Sequence, residues 1–156
     1  MWVSRRTDYA TRAVLALALA DSDKPMRMEE LSRRTQVPPS VLEQIMPLMR
    51  SDGIIRSERG RYGGYMLNHK PEQITMERVV RLFEGQLAPI SCATRQAPEP
   101  CRMEVDCSLR FVWEDVRDAI LDRLSTTTFA DLAARAGGPW RAHGQLLPLA
   151  SGSAQS

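Results

Sequence analysis

Apolar side chains recur at helical spacing through most of the first half of the chain. One such run predicts a helix from about Thr7 to Ala20, in which Thr7 and Asp8 can cap the N-terminus. A second stretch predicts a short helix over residues 29–35, a tight turn, and another helix over residues 40–51. Two short helices across a turn of about three or four residues are typical of a helix-turn-helix.

The pattern then changes to that of a β-hairpin. Residues 54–57 and 65–67 predict two short strands, and the residues between them are rich in glycine and arginine. A helix-turn-helix followed directly by such a hairpin is a winged helix, in which the hairpin is the wing. Pro47 departs from the helical pattern, because a proline inside a helix removes a hydrogen bond and should kink the last turn.

Farther along, Thr75 predicts the start of a helix and Gly85 its end, and residues 86–106 show no periodicity. A long helix starts after Cys107, and Thr128 caps a last short helix through Arg135. The long helix carries an apolar stripe: Leu109, Val112, Trp113, Val116, Ile120 and Leu124. Its other face is charged: Arg110, Glu114, Asp115, Arg117, Asp118, Asp122 and Arg123. Such a stripe either packs on the chain's own core or forms the seam of a dimer.

Composition narrows the class of protein. The net charge is +2, and the basic excess lies in residues 1–65, which favours a polyanionic partner for that half. The first apolar run is short and interrupted by charges, and an odd number of cysteines does not suit a disulfide framework. We therefore expect a cytoplasmic protein with no membrane partner. His69 and His143 lie far from the cysteines and no phosphate loop stands out, so we expect no enzyme.

The winged helix supplies candidates for contact with double-stranded DNA. Helix-turn-helix proteins present the N-terminal residues of the second helix to base edges, which here are Ser40, Glu43 and Gln44. The wing would reach phosphates or a narrow minor groove through Arg59, Arg61 and the neighbouring Tyr62. Candidates for phosphate contacts elsewhere are Arg5, Arg6, Arg33, Arg34 and Arg50. The alternative is that these arginines form a solvated surface.

Three cysteines, Cys92, Cys101 and Cys107, follow in the run CATRQAPEPCRMEVDC. Thiolates suit zinc or an iron–sulfur cluster, but structural zinc sites usually contain closer cysteine pairs. A cluster normally has four ligands, so a fourth would have to come from elsewhere. A thiol switch and inert cysteines remain the alternatives to a metal site.

Taken together, these segments resemble the bacterial winged-helix iron–sulfur regulators that include IscR, NsrR and RirA. The resemblance spans roughly residues 4–132 and rests on TDYATRAVLALA, PPSVLEQIMPLMRSDGIIRSERGRYGGYML, ITMERVVRLFEG and VWEDVRDAIL. Its most specific part is the wing run R-G-x-x-G-G-Y, placed after a helix-turn-helix and followed by three cysteines.

The resemblance implies a homodimer that binds a palindromic operator, with the long helix at the dimer interface and the three cysteines as cluster ligands. Some members take the fourth ligand from a histidine three residues past the third cysteine, where this chain has Arg110. Others take it from an aspartate in the first helix of the partner subunit, and Asp8 occupies the matching place. Asp8 is then either this ligand or a helix cap. As a ligand it would favour a 4Fe-4S cluster over a 2Fe-2S cluster.

The predicted fold is mainly α, in the α+β sense, with a winged helix-turn-helix DNA-binding domain, a two-strand wing, a cysteine loop and a long dimerisation helix. The predicted boundaries are 1–85 for the DNA-binding domain, 86–107 for the cysteine loop, 108–136 for the dimerisation and short C-terminal helices, and 137–156 for a flexible tail.

The predicted function is a homodimeric transcription regulator, expected to be a repressor. Its operator binding would respond to a cluster that senses nitric oxide, redox or iron–sulfur status. The alternatives are a cluster-free regulator switched by cysteine oxidation or a partner enzyme, and a protein-interaction module.

Overall fold

A computed structural model describes residues 3–20, 24–95 and 107–136, so Cys101 and the predicted tail lie outside the described residues. Within them the chain forms six α-helices and two strands: α1 Arg5–Ala18, α2 Met28–Thr35, α3 Pro39–Ser51, β1 Ile55–Glu58, β2 Gly64–Leu67, α4 Met76–Glu84, α5 Ser108–Thr126 and α6 Phe129–Arg135. Short 3-10 turns occupy Pro71–Gln73 and Ser91–Ala93. The predicted winged helix-turn-helix and long helix are confirmed.

The start of α1 differs from the prediction. Ser4 has the extended backbone of an N-cap residue, and its Oγ accepts a hydrogen bond from the Thr7 N–H at 3.3 Å. Thr7 and Asp8 already lie inside the helix, so the prediction that they cap it was wrong. The helix also ends at Ala18 rather than Ala20. Asp8 keeps the favourable position of an anion in the first helical turn, where the helix dipole is positive.

The core is built between helices α1 to α4, the hairpin and α6. Leu31, Leu42, Ile45 and Ile54 are fully buried in it. Phe129 of α6 is also fully buried there. The N–H of Phe129 donates to the carbonyl of Ile74 at 2.9 Å, so α6 packs against the winged helix although it follows the long helix in the chain. The predicted cap of α6 is confirmed, since Thr128 and Asp131 form a reciprocal capping box.

Gly53 lies just after α3 and forms part of the hydrogen-bonded turn that ends this helix. Its N–H bonds to the Arg50 carbonyl and the N–H of Ile54 bonds to the Met49 carbonyl, each at 3.0 Å, which is the Schellman arrangement. The φ of Gly53 is +76°, a value that a side chain would disfavour. Arg78 of α4 holds the same end of α3 by donating to the carbonyl of Asp52 at 2.7 Å. The helix continues through Pro47, which is exposed.

The wing is an antiparallel pair in which Ile55 faces Leu67 and Glu58 faces Gly64. A third segment joins it, because Met26 and Tyr65 exchange backbone hydrogen bonds of 2.9 and 2.8 Å. A side-chain carbon on Gly64 would lie 2.4 Å from the carbonyl oxygen of Met26. Only glycine lets these two backbones approach so closely, which explains one glycine of the R-G-x-x-G-G-Y run.

The apolar stripe of α5 does not pack on the core of its own chain. The apolar stripe that could have packed on the chain's own core is largely exposed, as Leu109 is 66% exposed and Val112 57% exposed. Arg117, one of the residues of the charged face, is buried at 8% exposure, which the sequence pattern did not predict. Among the helices of the described ranges, none has the length and apolar character needed to traverse a bilayer.

Candidate DNA interface and cysteine segment

The candidate recognition face lies along the N-terminal half of α3. Ser40, Glu43 and Gln44 are all exposed, and their spacing of three and four residues puts them on one side of the helix. The opposite side carries Leu42 and Ile45, which anchor the helix in the core. The helix can therefore present a hydroxyl, a carboxylate and an amide to base edges without disturbing its own packing.

The turn before α3 is fixed by local hydrogen bonds. Gln36 adopts the left-handed conformation at φ 57°, which ends α2 and redirects the chain. Ser32 Oγ donates to the carbonyl of Val37 at 2.7 Å, and Val37 is buried. The angle between the two helices is thus set by contacts within the motif. Arg33 lies exposed on α2, and Arg34 pairs with Glu30 at 2.5 Å.

The wing tip projects its basic and aromatic side chains outward. Arg59 and Arg61 are exposed, Tyr62 is 78% exposed, and the Arg61 guanidinium lies 5.9 Å from the Tyr62 ring centroid. The tip is held in shape, because Gly63 N–H bonds to the Gly60 carbonyl at 3.0 Å. A cation and a ring on a fixed loop can contact phosphates or the wall of a groove.

One arginine that precedes α2 and one from α3 hold the wing against the helix-turn-helix. Arg27 Nη2 donates to the carbonyl of Arg61 at 2.6 Å, and Arg50 Nη1 donates to Ser57 Oγ at 3.2 Å. Arg50, predicted to contact phosphate, thus also has a partner within the chain, and the contact of Arg27 was not predicted. No pattern in the sequence marks Arg27, since it precedes α2 and its partner is a backbone carbonyl in the wing.

Two of the three cysteines lie in the described residues. Cys92 belongs to the 3-10 turn after α4, and Cys107 is the N-cap residue of α5. Both are half-buried free thiols. Cys101 falls in the range 96–106, outside the described residues. Within the described part of the chain, no three side chains of the types His, Cys, Asp and Glu converge as metal ligands would.

Asp8, the fourth candidate ligand, is paired within its own helix. Its Oδ2 lies 2.7 Å from Arg12 Nη2, and its side chain is 46% exposed. An exposed pair of this kind contributes only about 0–1 kcal/mol, so the carboxylate can exchange its partner at little cost. Because Ser4 is the cap, the alternative that Asp8 caps α1 has no support in the structure.

The start of α1 is tied to the end of α4 by Glu84. Its Oε1 accepts from the Ser4 N–H at 2.8 Å and from the hydroxyl of the buried Thr7. Hydrogen bonds from Ser4, and then from Thr7, hold the pKa of Glu84 below its ordinary value. Glu84 ends α4, and the segment that contains Cys92 begins directly after it, so this contact fixes the start of α1 beside the start of that segment. The amphipathic pattern of α4 gave no sign of it.

The segment after Cys92 is held to the middle of α5. Arg117 Nη1 donates to the carbonyl of Ala93, and Arg117 Nε donates to Asp118 Oδ1 at 2.7 Å. Arg95 Nη2 lies 2.9 Å from the same carboxylate oxygen. The hydrogen bond from Arg117, followed by that from Arg95, lowers the pKa of Asp118. The charged pattern of α5 gave no sign of this contact, because the partner of Arg117 is a backbone carbonyl 24 residues earlier in the chain.

Comparison with known proteins places this arrangement in a family. A family model described as Rrf2, iron-dependent transcriptional regulator, matches residues 3–135. Protein rrf2 of Nitratidesulfovibrio vulgaris is 34% identical over 85% of this chain and 87% of its own. CymR of Bacillus subtilis is 29% identical over 92% of this chain and 97% of its own.

Solved structures give the same result. The structure of CymR, described as the global cysteine regulator of B. subtilis, superposes with a TM-score of 0.73 at 27% identity, over 86% of this chain and 98% of that one. IscR of T. potens superposes with a TM-score of 0.70 at 26% identity, over 87% of this chain and 88% of that one. The chain therefore belongs to the Rrf2 family of DNA-binding transcriptional regulators.

Proposed function

We propose that the chain is a homodimeric repressor whose operator binding is controlled by an iron–sulfur cluster held by its cysteines. The observation that supports this most is the position of Cys92 and Cys107. They lie between the winged helix, which carries the candidate DNA interface, and α5, whose exposed apolar face suits a dimer. A chemical change at the cysteines therefore occurs close to α5, the helix that would set the distance between the two winged helices of a dimer.

On DNA, the proposed roles follow from exposure and chemistry. Gln44 can bond bidentately to adenine, Glu43 can accept from cytosine, and Ser40 can serve either role. Contacts to phosphates or the minor groove are assigned to the outward-facing side chains Arg33, Arg34, Arg59, Arg61 and Tyr62. A symmetric dimer would read a palindrome whose half-sites lie about 34–36 Å apart.

The second copy of the chain is the natural occupant of the exposed face of α5. This face carries the exposed side chains Leu109, Val112, Trp113 and Val116. Burying each large apolar side chain is worth on the order of 1.5–3 kcal/mol, so leaving all of them in water is unfavourable. Two such helices packed face to face would bury them in a single seam.

The donor set suits an iron–sulfur cluster. Thiolates are its usual ligands, and the chain supplies Cys92, Cys101 and Cys107, the last at a helix N-terminus where negative charge is favoured. Asp8 of the second copy is the proposed fourth ligand, which favours 4Fe-4S over 2Fe-2S, and its weak pairing with Arg12 leaves it available. When bound, the cluster would supply iron that nitric oxide or oxidants can attack. Loss of the cluster would release the cysteines and Asp8 that hold it.

A cluster-free regulator is the second candidate. Cys92 and Cys107 are free thiols, and the relative CymR is named for cysteine regulation rather than for iron. In this case oxidation of the thiols would change the same segment and the same helix without a metal.

Anaerobic purification decides between the two. We expect a coloured protein that contains iron and sulfide, with an absorption and Mössbauer signature of a cluster, and with operator affinity that changes on exposure to nitric oxide. A colourless protein without iron or sulfide contradicts the cluster. If operator binding of that colourless protein nevertheless changes with thiol oxidation, the second candidate is correct.

The role of Asp8 has a matched control. Asp8→Asn should shorten the lifetime of the cluster, whereas Arg12→Gln removes the same ion pair but keeps the carboxylate, and should leave the lifetime unchanged. Equal lifetimes in wild type and Asp8→Asn would exclude Asp8 as a ligand.

A further inference from the structure

Arg117 is the one charged side chain among the described residues that is buried. Removing a guanidinium from water is costly, and an apolar residue of similar size often stabilises a protein as well or better. The two neighbouring apolar positions on the same helix, Val116 and Trp113, are more exposed than Arg117. Stability alone therefore does not account for an arginine at this position.

What the arginine does contact is specific. Its Nη1 reaches the carbonyl of Ala93, which is fully buried and directly follows Cys92. Its Nε holds Asp118, and Asp118 in turn holds Arg95 at 2.9 Å. The pair Arg117–Asp118 thus binds residues 93–95 through two contacts. One is to the backbone carbonyl of Ala93, and the other is to the side chain of Arg95.

We infer that Arg117 is a positioning residue that clamps the Cys92 segment to α5, so that a chemical change at Cys92 is transmitted to the helix. The inference rests on the proposed function, because it names the contact through which the state of the cysteines would reach the dimer helix. A main-chain carbonyl is a suitable target for such a clamp, since it moves with the backbone of the adjacent cysteine.

The clamp borders a cavity that is lined by charged side chains. Arg117 and Asp118 line a cavity of about 520 Å³ between α4, residues 86–95 and α5, and the carboxylates of Glu77 and Asp122 line it too. If Ala93 withdraws, the guanidinium keeps its hydrogen bond to Asp118. An element with two arrangements of similar free energy is what coupling between two sites requires.

The test uses the reduced, metal-free full-length protein, so that it does not depend on a cluster. Arg117→Met should accelerate alkylation of Cys92 by iodoacetamide about tenfold, because a charge-assisted hydrogen bond that restrains the segment is lost. Alkylation of Cys107, read in the same mass spectra, should be unchanged. Arg117→Lys keeps the charge but cannot serve both acceptors, and should give an intermediate rate. Arg123→Met, at an exposed position six residues along the same helix, is the matched control and should behave as wild type.

The second readout is the ratio of operator dissociation constants before and after alkylation of Cys92. In wild type we expect a ratio of about fivefold or more, and in Arg117→Met a ratio near one. Unchanged Cys92 reactivity, or an equal ratio in Arg117→Met and wild type, overturns the clamp. A wild-type protein whose operator binding ignores Cys92 alkylation contradicts the proposed function instead. Thermal unfolding confirms that the variants are folded, and Arg117→Lys carries the test if Arg117→Met is not.

Discussion

The winged helix buries its apolar helix face within its own chain, whereas α5 exposes most of its apolar face to solvent. In the winged helix, Leu42 is fully buried and its exposed neighbours are polar, so this part is complete within one chain. In α5, Leu109 is 66% exposed while Arg117 is buried. An amphipathic pattern reveals that a helix has an apolar side, but it does not reveal whether that side faces its own chain or another.

The same substitution at these two leucines gives the largest expected contrast. Leu42→Ala should lower the free energy of unfolding by about 2–5 kcal/mol, because it leaves a cavity in a packed core. Leu109→Ala should leave helix content unchanged but weaken dimerisation by about tenfold. Denaturant unfolding and sedimentation equilibrium measure the two effects. A dimer that is unaffected by Leu109→Ala would show that this face is not the interface.

A smaller effect tests whether the wing tip of the winged helix contacts the DNA backbone. Arg59→Ala removes an exposed charge from the wing tip and should weaken operator binding. Each lost phosphate contact should reduce the slope of log K against log salt by about 0.9, because fewer counterions are released. Binding isotherms over a range of salt concentrations provide the measurement. Glu72→Ala, at an exposed site after the wing, is a control that should leave the slope unchanged. An unaltered slope in Arg59→Ala would mean that the wing tip does not touch the backbone.

The smallest effect concerns the contact between α1 and α4 within the winged-helix region. The pKa of Glu84 is lowered by its hydrogen bonds, so the stability that it provides is fully present above the ordinary value of 4.5 and is lost as pH falls through the folded value. Glu84→Gln should therefore be less stable than wild type near neutral pH, and the difference should shrink below about pH 4.5. Thermal unfolding from pH 3 to pH 7 measures it. A difference that is constant over this range would contradict the assignment.

The winged helix could be predicted from sequence because its signals are local. Gly53 sits where a Schellman turn needs it, and Gly63 and Gly64 sit where the wing needs close backbone contact. The contacts of Glu84 and Arg117 could not be predicted in this way. Their partners are distant in sequence and are backbone groups or hydroxyls, which any residue or many residues can supply.

The candidate site was predictable only in its parts. Cysteine spacing and family resemblance pointed to Cys92, Cys101, Cys107 and Asp8. The structure places Cys92 in the short 3-10 turn after α4 and Cys107 at the N-cap of α5. The cap of α1 was assigned wrongly because Thr7 and Asp8 are good capping residues that happen to follow a better placed one, Ser4.

The backbone bonds between Met26 and Tyr65 have a consequence for the operator itself. Because they join the wing to the segment that leads into α2, recognition helix and wing have few independent degrees of freedom and turn together. For two such rigid heads, one inserted base pair between the half-sites rotates one target relative to the other by about 34–36°. Neither wing could compensate for that rotation alone, so tolerance to operator length would be decided by the torsional compliance of the α5 seam.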